Sequence, residues 1–344
     1  MEFLKRAILI CITLLIMGKI SAQNGGDHVF EFLNLTSSGL VTSLGGANVS
    51  LPSNDLNLAY ENPALLASGM NRSLALNYVN YFSDINYGLV MYSGAFRTFN
   101  IAGGLTYLNY GSFNATDPTG MVTGKFSAAE YAFSLIVSRE IDSAFSFGIT
   151  IKPVLSQLER YSSFGLAFDI GGSWHSRSNN LITGIVARNA GLQLDSYAGE
   201  PRQKLPFELM AGISHRLTYA PLRLSLTVRN LQTFDLSKTE ETVSSGASTQ
   251  SKSGFTSNIL KHVIPGVEII PHKNFYLAAG YNFRRSMELK TSSGGAPGFT
   301  WGFGIITDWL DLEFGRAVFH VAGASTNLSL ILRTDRIYRK DRNN

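Results

Sequence analysis

Apolar and polar residues alternate with a period of two from about Arg72 to Arg333. In the clearest segment, Leu222 to Val228, leucine and valine positions are separated by Arg223, Ser225 and Thr227. This period predicts β-strands with one face against an apolar medium and the other against water. Because the polar face is rich in Gly, Ser, Thr and Arg, it favours a transmembrane barrel with lipid outside and a wet lumen inside. A soluble β-sandwich, whose strands also alternate, is the alternative.

The alternating segments number about fourteen, and an even number is typical of bacterial barrels. Twelve or sixteen strands remain open. Short connections alternate with long ones, and the long set comprises Asn109–Phe126, Asn189–Pro206, Gln232–Asn258 and Ser286–Pro297. Periplasmic turns are short in such barrels, so the long loops are predicted on the cell surface. The predicted fold class is therefore all-β, an antiparallel barrel of the bacterial outer membrane.

The first 22 residues have the layout of a secretory signal peptide. Lys5 and Arg6 precede an apolar run that ends near Met17, and the small residues Ser21 and Ala22 follow. The run is shorter than the ~20 residues that a membrane-spanning helix needs. Cys11 is the single cysteine, so cleavage after Ala22 would leave a chain with neither disulfides nor a thiol nucleophile.

Residues 23–71 form a separate segment ahead of the predicted barrel at 72–333, and residues 334–344 form a basic periplasmic tail. Within the segment we predict an extended piece at Asp27–Leu35, a turn at Gly45-Gly46 and a short helix at Asp55–Leu66 that Pro63 interrupts. The segment either plugs the lumen or lies in the periplasm and seals the lower rim. In the plug interpretation, the side chains that pack against the inner wall are Phe32, Leu33, Leu58, Leu65 and Leu66.

Charge and chemistry narrow the function further. The formal charge of +4 falls to +2 without the leader, since Lys5, Arg6 and Lys19 leave with Glu2 (4 − 3 + 1), and this predicts no nucleic-acid partner. On the lumen side, the arginines 188, 223, 229 and 333 either line an anion path or pair with the acids Asp169, Glu208, Asp311 and Glu313, and we favour pairing.

The histidines are scattered, which predicts no metal site and no cofactor. Ser173 and His175 share a face, but the glycine and the strand-to-helix turn of a nucleophile elbow are missing. We therefore predict that the chain is not an enzyme.

The N-terminal segment also resembles a known family. Asn62-Pro63-Ala64, preceded by the Gly45-Gly46 turn, resembles the start of FadL-like outer-membrane barrels. Within that group, residues 25–66 are most similar to the PorV/PorQ branch of the type IX secretion system of Bacteroidetes. The residues that carry the resemblance are Phe32, Leu33, Leu44, Gly45, Gly46, Asn62, Pro63 and Ala64.

The resemblance implies a fourteen-stranded barrel that anchors the attachment complex, in which secreted cargo is processed and linked to lipopolysaccharide. Its implied partners are outer-membrane lipid, a PorU-like sortase, a PorZ-like surface protein and a PorV-like barrel. The chain departs from the usual terminal aromatic residue of outer-membrane proteins. The alternative function is FadL-like passive transport of hydrophobic molecules, for which a strand kink at Pro153 or Pro265 would open the wall. A small-solute porin is a third possibility.

Overall fold

A computed structural model describes residues 28–81, 85–142, 144–236, 255–289, 296–320 and 323–336. These residues form a closed barrel of fourteen antiparallel strands, in which each strand pairs with its neighbours in sequence and β1 closes the ring against β14. The predicted fold class and strand number are confirmed. The strands are β1 Ser73–Asn80, β2 Asn86–Phe96, β3 Phe99–Thr116, β4 Val122–Glu140, β5 Phe145–Leu158, β6 Tyr161–His175, β7 Leu181–Asp195, β8 Glu208–Arg216, β9 Leu222–Val228, β10 Val263–His272, β11 Phe275–Tyr281, β12 Phe299–Ile306, β13 Leu310–His320 and β14 Gly323–Arg333.

The two faces of the wall separate as the sequence pattern predicts. On β5, Phe147 and Ile149 are half-exposed on the outside, whereas Thr150 and Lys152 are buried on the inside. On β9, Leu224 faces outward and Thr227 inward. An outer surface of this composition suits hydrocarbon, and the strand pairing satisfies the backbone hydrogen bonds that lipid cannot.

The predicted long loops differ from the structure in extent. β3 and β4 continue as a two-stranded ribbon to Thr116 and Val122, so most of the predicted loop 109–126 is paired strand. Most positions on both faces of this ribbon are exposed or half-buried, so the period of two is lost from the sequence although the strands continue. The predicted loop 189–206 begins inside β7, and 286–297 begins inside a helix. Of 232–258, residues 237–254 lie outside the described part.

Short helices complete the chain. Residues 28–71, which we name the lumenal segment, contain helix α1 Gly39–Ser43, helix α2 Leu58–Glu61 and 3₁₀ turns at Glu31–Asn34, Pro63–Leu65 and Ser68–Met70. The turn at 31–34 shows that the predicted extended piece 27–35 is wrong, because Leu33 N–H bonds back to Phe30 O and bends the chain. Two further helices lie in connections between strands: α3 Phe255–His262 precedes β10, and α4 Phe283–Leu289 follows β11. Among the described helices, none combines the length and the apolar character needed to cross a membrane. The predicted signal peptide at 1–22 and residues 337–344 of the predicted tail lie outside the described part.

Candidate functional site: the sealed lumen

The lumenal segment lies inside the barrel and fills it. Phe32 and Leu33 are buried in one cluster with Val79 of β1, Val154 of β5 and Ala167 of β6. Leu44 belongs to a second cluster that includes Tyr276 and Ala278 of β11. Close packing against opposite sides of the wall stabilises the segment in this position.

The first anchor point is α1 with its following turn. Ser38 caps the helix by accepting a hydrogen bond from Val41 N–H. At the free N-terminal end, Gly39 N–H donates to Ser329 Oγ at 2.8 Å and Leu40 N–H donates to Glu313 Oε2 at 3.2 Å. The first backbone N–H groups of a helix have no carbonyl partner within the helix, and here side chains of the barrel wall accept their hydrogen bonds.

Gly45 and Gly46 then adopt φ angles of 101° and 88°, which only glycine adopts readily. This reverses the chain beside β10 and β11. Leu44 consequently approaches Gly266 and Gly280 on those two strands.

The second anchor point is the Asn62-Pro63-Ala64 motif. Asn62 Oδ1 accepts from Ala64 N–H at 3.0 Å, while Asn62 Nδ2 donates to Val49 O at 3.0 Å and to Gly172 O of β6 at 3.4 Å. Ala64 O accepts from Ser173 Oγ at 3.4 Å. The motif thus joins two stretches of the lumenal segment to the wall of β6.

Glycines of the wall allow this close approach. A Cβ added at Gly148, Gly171, Gly184 or Gly315 would overlap atoms of Pro63, Asn62, Val49 and Gly39, respectively. Three of these four contacts are with backbone atoms, which cannot rotate away. In sequence these glycines are indistinguishable from ordinary small lumen-facing residues, so the pattern does not predict their contacts.

A buried ion pair joins Glu61 of α2 to Arg188 of β7. The two side chains are each 3% exposed, and Arg188 Nη1 lies 2.8 Å from Glu61 Oε2. Arg188 Nη2 also donates to Leu33 O at 3.3 Å, and Thr36 Oγ1 donates to Glu61 Oε1 at 3.2 Å. Each group of the pair is therefore multiply hydrogen-bonded, as a buried ion pair must be to offset the cost of desolvation.

Tyr60 lies between this pair and a second one. Its ring centroid is 5.6 Å from both Lys152 Nζ and Arg188 Cζ. Lys152 is itself 2.8 Å from Asp169 and donates to Asn189 Oδ1 at 2.7 Å. Lys152 and Arg188 therefore both contact the ring of Tyr60, and each has its own carboxylate partner. We name these side chains, together with Glu61 and Asp169, the polar seal of the lumen.

The predicted pairing of lumen arginines is found, with partly different partners. Arg229 pairs with Glu208 and Arg333 with Asp311, both within the predicted set. Arg188 instead pairs with Glu61, and Arg223 with Glu268 at 2.9 Å. Glu61 was not among the predicted partners, because the sequence does not determine where the lumenal segment lies.

Asp55 is a buried carboxyl of the lumenal segment. Its Oδ1 accepts from Asn57 N–H at 2.9 Å, whereas Oδ2 has no hydrogen-bond partner. Burial raises the pKa of the Asp55 carboxyl to about 7, and the negative charge of Asp311 acts in the same direction. The buried carboxyl therefore keeps its proton to a higher pH than an exposed aspartate does.

Ser173 and His175 do come together. Ser173 Oγ is 3.1 Å from His175 Nε2, and His175 Nδ1 is 3.2 Å from Asn179 Oδ1. This resembles the order of a nucleophile, a base and an orienting group. However, Ser173 is 5% exposed and its hydroxyl already contacts Ala64 O. The arrangement therefore closes the short-loop end of the seal and offers a substrate little access.

Comparison with known protein families and with curated proteins gives no match. Solved structures share the fold. The toluene transporter TbuX of Ralstonia pickettii matches with a TM-score of 0.52 at 11% identity, over 88% of this chain and 98% of its own. The toluene transporter TodX of Pseudomonas putida matches with a TM-score of 0.50 at 12% identity, over 86% and 97%. The monoaromatic hydrocarbon channel CymD matches with a TM-score of 0.51 at 10% identity, over 88% and 98%. At these identities the likeness shows the fold alone, a closed antiparallel β-barrel.

Proposed function

We propose that this chain is a non-enzymatic outer-membrane barrel that serves as a surface anchor for partner proteins of a type IX attachment complex. The observation that carries the proposal is the polar seal. The lumen is filled by the lumenal segment, and its centre is built from the pairs Glu61–Arg188 and Lys152–Asp169. A filled, charged lumen is a poor route for solutes and a rigid base for whatever the outer surface holds.

The β3–β4 ribbon offers such an outer surface. Pairing with β2 ends at Asn109 and pairing with β5 ends at Ala128, so both edges of the ribbon lack a neighbouring strand in the described part of the chain. Its seven residues beyond Asn109 reach roughly 20 Å further. The rings of Phe113 and Phe126 stack on it with centroids 5.3 Å apart. Free strand edges beside apolar rings are features that bind extended partner segments.

A second candidate is passive transport of hydrophobic molecules, and the comparisons favour it more directly than the anchor. Proteins described as toluene transporters and a monoaromatic hydrocarbon channel share the fold. An outer aromatic cluster also lies beside α3, where Phe234 and Phe255 have ring centroids 5.8 Å apart and are more than half exposed. Such a cluster could capture an apolar solute.

The charged lumen weighs against transport as the leading function. A hydrocarbon that crosses the lumen would meet buried ion pairs, whose desolvated charges offer it no favourable contact. At the candidate kinks, pairing is kept on one side only. Pro153 lies opposite Leu166 of β6 and Pro265 opposite Leu226 of β9, whereas the pairing of β5 with β4 skips Pro153 and that of β10 with β11 begins at Gly266.

Affinity purification from the host's own outer membrane separates the two functions. The wild-type barrel is compared with two matched double variants, F113S/F126S on the ribbon and F234S/F255S in the outer aromatic cluster. The anchor requires a sortase-like or surface protein to copurify and to be lost from the ribbon variant. Transport would become the better proposal if the barrel were recovered alone with a bound apolar molecule and if only the cluster variant took up toluene more slowly.

A further inference from the structure

A row of polar side chains crosses the outer surface of the barrel toward its long-loop end. The strand register places each of them directly beside the next on five neighbouring strands, from β13 through β14, β1 and β2 to β3. All of them alternate with buried, lumen-facing neighbours and so point outward. The polar row consists of Arg316, Thr326, Asn80, Asn86 and Asn109. The outward positions of β14 below the row are Leu328, Leu330 and Leu332, so the row borders an apolar surface.

Arg316 supplies the positive charge of the polar row. Its Nη1 donates to Thr326 Oγ1 at 3.3 Å, and Trp301 of β12 lies opposite it. Arg316 belongs to none of the ion pairs that join described residues. The other guanidinium N–H groups and the Thr326 hydroxyl can all donate. They match the oxygens of a phosphate group, which arginine binds strongly.

The remainder of the polar row is uncharged. Asn86 Oδ1 accepts from Tyr78 Oη at 2.7 Å and from Asn80 Nδ2 at 3.1 Å. These contacts hold the amides along the wall, and amide groups both donate and accept, as sugar hydroxyls do. Adjacent strands lie about 4.8 Å apart, so the four spacings give a row roughly 19 Å wide. This width exceeds one glycerophosphate group and suits linked sugar rings.

We propose that the polar row binds the headgroup of a phosphorylated glycolipid in the leaflet at the long-loop end. The phosphate lies at Arg316 and Thr326, and the sugar hydroxyls follow the asparagines. The acyl chains then cover the apolar positions below, such as Leu328. This inference rests on the proposed function only in requiring a membrane barrel, and it is independent of the choice between anchor and transporter.

Native mass spectrometry of the full barrel in a zwitterionic detergent tests the proposal by measuring the affinity for added lipid. The probes are diphosphoryl lipid A, the same lipid without its phosphates, and phosphatidylglycerol. The test variant is Arg316→Gln. The matched control is Arg139→Gln, because Arg139 is also exposed and outward-facing, but its neighbours across the strands are Phe99 and Phe147 and no polar row adjoins it.

We expect the wild-type barrel to bind diphosphoryl lipid A more tightly than either other probe. Loss of a hydrogen bond between charged groups should lower this affinity about ten- to a hundredfold in R316Q, whereas R139Q should bind like the wild type. Both variants change exposed side chains and should fold, which heat-modifiable migration on gels verifies.

Three results would overturn the inference. Equal losses in R316Q and R139Q would show only a general attraction between cations and anionic lipid. Equal affinity for lipid A with and without phosphates would remove the role of Arg316. Phosphatidylglycerol bound as tightly as lipid A would replace the glycolipid by a glycerophospholipid. Copurification of partner proteins is measured separately, so each of these results leaves the proposed function standing.

Discussion

Removing the negative charge of Glu61 should release the lumenal segment. In Glu61→Gln, the carboxylate that faces Arg188 Nη1 at 2.8 Å becomes an amide. The amide oxygen can still accept from Arg188 while the NH₂ group turns toward Thr36 Oγ1, but Arg188 stays buried without its counter-charge. Breaking a buried pair in this way costs about 3–5 kcal/mol. A tenfold change in an equilibrium corresponds to about 1.4 kcal/mol, so the open population should rise roughly a hundred- to several-thousandfold.

Thiol labelling measures this opening. Ser43→Cys in a Cys11→Ser background places one thiol on α1, where Ser43 is fully buried. A maleimide then reacts only when the segment leaves the wall, and its rate follows the open population. The matched control is Glu288→Gln, which removes an acid from a partly exposed helical pair with Arg284 at 2.7 Å and should cost at most ~1 kcal/mol.

The double variant E61L/R188L distinguishes the ion pair from mere packing. Replacing both charges by apolar groups is often neutral or stabilising for a buried pair, so labelling should return toward the wild-type rate. The reasoning is refuted if E61Q labels no faster than E288Q, or if the double variant labels as fast as E61Q.

Three further predictions follow from the same geometry. Gly184→Ala should destabilise the folded barrel by about 1–3 kcal/mol, because its Cβ would overlap Val49 O, whereas Gly103→Ala, with open space around it, should change the urea midpoint little. The raised pKa of Asp55 stabilises the fold below pH ~4 and loses that contribution as the pH rises through about 7, so Asp55→Asn should flatten the pH dependence of urea unfolding between these values; an unchanged slope would contradict the assignment. A fluorophosphonate probe should not label the barrel, since Ser173 is buried, and labelling that disappears in Ser173→Ala would overturn the non-enzymatic proposal.

The barrel could be predicted from sequence because lipid imposes one rule on every strand. Outward positions such as Phe147 and Leu224 must be apolar, and inward positions such as Thr150 and Thr227 need not be. The rule ends where the membrane ends. Most side chains of the ribbon beyond Asn109 are exposed or half-buried, so its sequence does not show the period of two that marks the strands of the barrel.

The site was less predictable for a different reason. Asn62 and Pro63 were identified by resemblance, but their wall partners Gly148 and Gly171 are small residues on inward positions, like many others. The role of Glu61 is likewise not predictable from sequence, since its partner Arg188 is 127 positions away. Such contacts depend on where the lumenal segment sits and in which orientation, which neither periodicity nor charge count determines.

The distribution of contacts along the lumenal segment bears on both proposed functions. The segment is held to the wall at Gly39, which contacts β14, and at Glu61 and Asn62, which contact β7 and β6 on the opposite side. If only one of these contacts opened, its polar groups would lose their partners while the rest of the segment kept them buried. Partial release is therefore costly, and the segment should leave the lumen as a unit or remain. An anchor benefits from this stability. A transporter of hydrophobic molecules with this seal would need either a partner that binds the released segment or a path through the wall that leaves the segment in place.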